Sequence, residues 1–191
     1  MMNEREATLG NGQVATIREA ELDDAAAVLE YLDQVIAETD FLAMGQGDLD
    51  WPLERERRLI EEHRSADNKL LIVAEVEGRI AGVSGFTGDD RRRLRHTGES
   101  GISVLQRHWG LGLGTALMES VIEWARSSGV VRKIGLRVRT DNERALRLYT
   151  RSGFVREGVI TRQFAIAGRF YDAYLMGLEI DPEPVQSRAD R

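Results

Sequence analysis

Along this chain the apolar positions switch between a repeat of two and a repeat of 3.6, and each switch marks a change of element. Alternation over residues 14–18 predicts a short strand. Leu22, Ala25, Ala26, Leu29, Leu32 and Ile36 fall along one side of an amphipathic helix over 22–38. Residues 41–50, with Gly45 and Gly47, predict a loop. A second helix begins near Pro52, a residue suited to a first helical turn, and runs toward Arg64. Residues 69–77 and 79–88 pair as a hairpin around Glu77-Gly78. A charged loop covers 89–95 and a strand 96–105. Leu113, Leu117, Val121 and Trp124 form the stripe of a helix over 112–128, which Gly129 stops. A buried strand follows over 131–139, then a short helix over 143–152 closed by Gly153. Two strands, 154–166 and 169–179, turn at Ala167-Gly168.

The resulting order is β, α, α, β, β, β, α, β, α, β, β. One strand–helix–strand crossover, over 96–139, sits among strands otherwise joined as hairpins. That pattern predicts an α/β fold: a single domain with a mixed, mostly antiparallel central sheet flanked by helices. Its 191 residues suffice for one sizeable core. The domain is expected over 14–180. Residues 1–13 read as a flexible N-terminal extension, and 181–191, with Pro182 and Pro184, as a flexible tail.

Composition narrows the function classes. Apolar residues make up 42% and charged residues 30%, as in ordinary globular proteins. No apolar run approaches the roughly 18–20 residues that cross a membrane. The polar N-terminus, with Glu4, Arg5 and Glu6, lacks the apolar core of a secretory signal, so a cytoplasmic location is expected. The absence of cysteine removes disulfides, thiolate metal sites and a cysteine nucleophile. The three histidines, at 63, 96 and 108, form no close pair, and no metal site is expected. A net charge of −6 weighs against nucleic-acid binding and is compatible with a cationic substrate, although such a charge also serves solubility alone.

Gly110, Gly112 and Gly114 alternate where a strand gives way to the helix over 112–128. Without Cβ atoms, the backbone there can approach a ligand closely and take turns closed to other residues. The first N–H groups of a helix have no internal partner and carry the positive end of the dipole. Together these features make an anion site suited to a pyrophosphate. The turn does not match a P-loop, because Gly114-Thr115 lacks the lysine. A dinucleotide fingerprint would place its third glycine one residue later. Asp141 could serve as that fingerprint's acidic residue, but hairpin strands precede the turn where repeated βαβ units would be needed.

Two motifs in order carry a family resemblance. Arg107-His108-Trp109-Gly110-Leu111-Gly112 is similar to the (Gln/Arg)-x-x-Gly-x-(Gly/Ala) signature of the GCN5-related N-acetyltransferases (GNAT). Asn142-Glu143-Arg144-Ala145-Leu146-Arg147-Leu148-Tyr149, followed by Ser152-Gly153-Phe154, resembles that family's Asn-x-x-Ala-x-x-x-Tyr and Gly-Phe. The resemblance covers residues 14–180 and implies the GNAT-like acyl-CoA acyltransferase fold, with acetyl-CoA as co-substrate and an amine as acceptor. It implies that Val104, Leu105, Arg107, Trp109, Gly110, Leu111, Gly112, Leu113, Gly114, Thr115 and Asn142 hold the CoA. One departure is Trp109, where many members carry a basic residue. Dimers are common in the family, so a homodimer is one expectation for the assembly.

The implied reaction is attack of a primary amine on a thioester. The amine, which ordinarily titrates at a pKa of about 10, must lose a proton, and the departing thiolate should gain one. With no cysteine to carry an acyl group, direct transfer in a ternary complex fits. By spacing alone Tyr149 shares a helix face with Ala145, Leu148 and Ser152 and reads as core packing; the resemblance makes it the acid beside the CoA sulfur. Asn142 reads as an N-cap, to which the resemblance adds a CoA contact. Glu99, on the strand leading into the glycine turn, is the candidate base, with a raised pKa if buried; an exposed strand charge is the plain alternative. His96, on the opposite face of the same strand, is the second candidate.

Phe41, Trp51 and the acidic residues Asp40, Asp48 and Asp50 precede the second helix, where the resembling family builds its acceptor pocket; a mobile surface loop with one buried tryptophan is the equal alternative. Arg91, Arg92, Arg93 and Arg95 offer a contact for the CoA 3′-phosphate or, equally, a solvated loop. Tyr171-Asp172 on the last hairpin could line the acceptor site or serve as a paired strand face. A non-catalytic acyl-CoA sensor and a nucleotide-cofactor protein are the competing functions, and a sensor has no need of an acid and a base.

Overall fold

In the computed structural model, which describes residues 2–180, eight strands form one sheet flanked by four helices. The strands are β1 (Arg5–Thr8), β2 (Val14–Glu19), β3 (Lys69–Val76), β4 (Arg79–Gly88), β5 (Thr97–Val104), β6 (Lys133–Arg139), β7 (Val155–Ile166) and β8 (Arg169–Glu179). The helices are α1 (Ala25–Glu38), α2 (Leu53–Ser65), α3 (Leu113–Ser127) and α4 (Glu143–Arg151). Spatial order is β1-β2-β3-β4-β5-β6-β8-β7. Every neighbouring pair is antiparallel except β5 and β6. The mixed, mostly antiparallel α/β sheet expected from the pattern is present. The tail expected at 181–191 lies outside the described residues.

Within the extension expected to be flexible at 1–13, residues 5–10 are instead tied to the domain. Residues 5–8 pair with β2 as an edge strand, Leu9 is buried, and the Gly10 N–H donates to the Leu111 carbonyl at 2.9 Å. The first turn of the predicted first helix is a short 3₁₀ segment, Leu22–Asp24, where Glu21 and Asp24 form a capping box. Arg18 reaches it from β2, contacting Asp24 at 2.6 Å and pairing with Glu75 on β3.

Successive residues of each inner strand face opposite layers. Ile72 and Ala74 join the larger core beneath α3, built on Leu113, Leu117, Met118, Val121 and Trp124. Val73 joins the smaller core beneath α1 and α2, with Val28, Tyr31, Val35 and Ile60. The last hairpin inserts its second strand inward. β8 carries the buried Ala173 and Met176 and takes the place beside β6, while the more polar β7 forms the edge.

The parallel pair positions the site. β5 and β6 are in register only through Thr97, Gly98 and Glu99. Beyond Glu99, β5 stays with β4 as far as Gly82 opposite Val104, while β6 stays with β8 as far as Arg139 opposite Ala173. The two strands therefore splay, and one edge of β5 from Ser100 to Val104 has no strand partner among the described residues.

Candidate active site

The splay opens into a cleft of about 1200 Å³. β5 lines it from Glu99 to Val104, followed by His108, Trp109, Gly110, Gly112, Gly114 and Thr115 at the start of α3. Asn142, Arg144 and Tyr149 of the α4 segment line one side. Thr39, Phe41, Leu42, Ala43, Thr87, Gln163 and Phe164 also face the cleft, as do Arg137 and Arg139 of β6.

Gly110 and Gly112 take φ of 75° and 95°, conformations that side-chain-bearing residues rarely adopt. No side chain caps α3, so the N–H groups of Leu113, Gly114 and Thr115 have no helical acceptor. With the positive end of the helix dipole they form an anion-attracting terminus beside the cleft that Gly112, Gly114 and Thr115 line. Trp109 braces this turn: its indole N–H donates to the Val104 carbonyl at 2.7 Å. The Arg144 guanidinium stands over the same indole, 4.4 Å from the ring centre. The basic residue missing at position 109 is thus answered by a cation from α4.

His108 is buried and its Nε2 accepts from the Arg107 Nε at 3.1 Å. Burial, and then the charge of Arg107, push its pKa down, so the ring is neutral with its proton on Nδ1, which has no partner. Arg107 itself does not line the cleft, and its guanidinium is turned onto His108 instead of toward a phosphate. Leu105, Leu111 and Leu113 are likewise not cleft residues. Leu105 packs beneath α1 with its N–H bonded to Ala81, Leu113 is fully buried in the larger core, and Leu111 packs against that core. Their apolar side chains serve packing, which the motif's spacing alone does not distinguish from ligand contact.

Tyr149 is 6% exposed and lines the cleft, its ring tilted against Phe154 at 5.8 Å. Burial drives its phenol pKa upward, and no described residue hydrogen-bonds its hydroxyl, which keeps its proton at neutral pH. The Asn142 side chain accepts from the Ala145 N–H at 3.1 Å, capping α4 while lining the cleft.

The two candidate bases part company. His96 is exposed in the turn before β5 and outside the cleft, because the splay begins only past Glu99; its carbonyl serves the strand junction by accepting from Arg132 and Lys133. Glu99 does line the cleft, and of the two environments open to it, a buried carboxylate or an exposed strand charge, it has the exposed one. Its side chain is 56% exposed and bonds Arg137 of β6 at 2.5 Å. Arg139, two residues on, is buried. Its guanidinium lies 4.6 Å from the Phe41 ring and 3.9 Å from the Tyr171 ring, contacts Asp141 at 2.7 Å, and donates to the Asp40 carbonyl at 2.9 Å. It thereby ties the 40–43 loop over the cleft. The sequence motifs do not single out Arg137, Arg139 or Arg144 as site residues. The available signal is two arginines at alternate positions, Arg137 and Arg139, at the end of the strand that starts at Lys133.

Comparison with known proteins agrees with this geometry. The sequence profile of the acetyltransferase (GNAT) family matches residues 36–154. A GNAT-family acetyltransferase from Streptococcus pneumoniae superposes with a TM-score of 0.85 at 40% identity, covering 87% of this chain and 99% of that one. The yncA acetyltransferase of Salmonella typhimurium, solved with acetyl-CoA, shares the fold with a TM-score of 0.78 at 23% identity, covering 91% and 98%. The L-amino acid N-acyltransferase MnaT of Escherichia coli is 29% identical over 170 residues, 87% of this chain and 94% of that protein. Two further curated relatives are matched over 65% and 61% of their own lengths. The chain belongs to the GNAT family of acetyltransferases, whose co-substrate is acetyl-CoA.

Proposed function

We infer that the protein is an acetyl-CoA-dependent N-acetyltransferase that passes the acetyl group directly to a primary amine of a small molecule or peptide. One observation carries this reading: the uncapped, glycine-flanked start of α3 and the buried Tyr149 border the same splayed cleft. The α3 turn suits the pyrophosphate of CoA, with the cleft-lining Arg144 as a further donor. The unpaired edge of β5 offers backbone groups to the extended pantetheine arm, which brings the thioester toward Tyr149. Amine and thioester then meet without a covalent enzyme intermediate, and alignment supplies much of the rate.

Two proton transfers complete the chemistry. Glu99 takes a proton from the incoming ammonium, releasing the lone pair that attacks the thioester carbonyl. Tyr149, kept protonated by burial, donates to the sulfur as the C–S bond breaks. A non-catalytic sensor would need the turn but not this acid. Tyr149→Phe tests the difference: kcat should fall by roughly 100-fold or more, the range of a general acid, while the Kd for CoA stays within about twofold. An unchanged kcat removes Tyr149 from this role.

A further inference from the structure

We propose that Glu99 and Arg137 act together as a clamp for a zwitterion, so that the preferred acceptor is a free α-amino acid whose carboxylate is held by Arg137. The proposal rests on the acetyltransferase reading and names its acceptor.

The placement comes from the sheet. Glu99 is the last residue of β5 in register with β6, opposite Gly135, and Arg137 lies two residues beyond that point. The pair therefore spans the mouth of the splay, and both side chains line the cleft. Only one carboxylate oxygen is engaged: Oε2 accepts from Arg137 Nη2 at 2.5 Å and Nε at 3.2 Å. Glu99 Oε1 and the Arg137 Nη1 group are left over, one anionic acceptor and one cationic donor side by side. An α-amino acid presents the complementary arrangement, an ammonium and a carboxylate on one carbon. The two side chains are 56% and 43% exposed, and an ion pair so exposed contributes little and opens at small cost.

The surroundings favour this acceptor over other amines. Arg139, the nearest arginine along β6, has its guanidinium committed to Asp141 and Asp40, so it neither competes for the carboxylate nor cancels Glu99. Thr87 and Gln163, also facing the cleft, are neutral. A polyamine would bring further positive charge against Arg137. A peptide N-terminus, or a simple alkylamine, would leave Arg137 without an anion.

In the reaction the α-ammonium gives one proton to Glu99 and its nitrogen attacks the acetyl carbonyl. The C–N bond forms, the C–S bond breaks, and the sulfur takes the Tyr149 proton. The second nitrogen proton restores the tyrosine through solvent, and Glu99 releases its own, leaving the N-acetyl amino acid, CoA and one proton. The product amide is uncharged at nitrogen, so the Glu99 half of the clamp lets go.

The test is a steady-state comparison, with saturating acetyl-CoA, of a panel of L-amino acids, the matching amino acid amides and the matching decarboxylated amines. The wild type should prefer its best amino acid over that residue's amide by at least tenfold in kcat/KM. Arg137→Ala should lose at least tenfold on the amino acid, chiefly in KM, and less than threefold on the amide. Arg137→Lys should recover part of the preference. Equal use of acid and amide by the wild type, or an equal loss on both in Arg137→Ala, overturns the clamp. Calorimetric titration of the enzyme–CoA complex with the same amino acids separates the two levels of the argument. Binding that disappears in a folded Arg137→Ala variant supports the clamp, and no binding of any amino acid overturns it. Failure to acetylate any amine in the panel would instead sink the acetyltransferase reading itself.

Discussion

Replacing Gly112 with alanine separates the strain of the glycine turn from its service to a ligand. Gly112 caps α3 at φ 95°, and a Cβ built there meets nothing within 4 Å. The substitution therefore costs the folded protein only the left-handed conformation, about 1–2 kcal/mol. For a chain of this size that is a fall of roughly 2–8 °C in Tm. Gly129, just past α3, provides the control: its φ is 69°, a Cβ there also meets nothing within 4 Å, and it lies outside the cleft. Gly129→Ala should lower Tm comparably and leave CoA binding unchanged. Gly112→Ala should in addition push a methyl group into the space assigned to the pyrophosphate. Loss of one hydrogen bond to a charged group is worth about 1.5–3 kcal/mol, a rise of roughly 10- to 100-fold in Kd. Scanning calorimetry and titration calorimetry with CoA on both variants give the two numbers. A Gly112→Ala protein that melts like Gly129→Ala and binds CoA like the wild type would refute the assignment of the turn.

Two other outcomes follow from the same geometry. Arg144 is exposed and holds the cationic place that Trp109 leaves open, so Arg144→Ala should weaken CoA binding by roughly fivefold or more while changing stability by less than about 0.5 kcal/mol. The affinity gap between variant and wild type should narrow as salt is raised, and a gap independent of salt would contradict the cationic role. The Asp24 carboxyl is held below its ordinary value, first by its hydrogen bond with Arg18. A lowered folded-state pKa contributes stability that is present above the ordinary carboxylate value and lost as pH falls through the folded one. Urea midpoints should therefore drop below about pH 4. Asp24→Asn should flatten that acid limb, and an unchanged limb would show that other carboxylates carry it.

The sequence made most of the elements legible because their periods are strong. The stripe Leu113, Leu117, Val121 and Trp124 is the buried face of α3, and the hairpin at Glu77-Gly78 is β3 and β4. What it hid depends on contacts between distant segments. β1 is four polar-mixed residues whose partner is β2 and whose own period is too short to register. The splay rests on only three residue pairs of parallel register, and no local pattern announces where β5 and β6 part. At the site, the motifs located the turn, Asn142 and Tyr149, which all border the cleft. The motif offset could not show that Arg107 faces His108, because a 3₁₀ turn at Gln106–His108 sets its direction. Glu99 was visible as a charge on a strand leading to the turn. Its environment was not, since its partner lies 38 residues away on another strand. Trp109 was visible as a gap in the motif, while the arginine that fills the gap belongs to a different helix.

The proposed function requires direct acetyl transfer from acetyl-CoA to an amine in this cleft. Initial rates of thiol release, measured over a grid of acetyl-CoA and amino acid concentrations with the acetylated product weighed by mass spectrometry, address it most directly. Direct transfer should give one N-acetylated amine per CoA released and double-reciprocal lines that intersect, as a ternary complex requires. Parallel lines, or a protein that binds CoA and acetylates no amine, would contradict it.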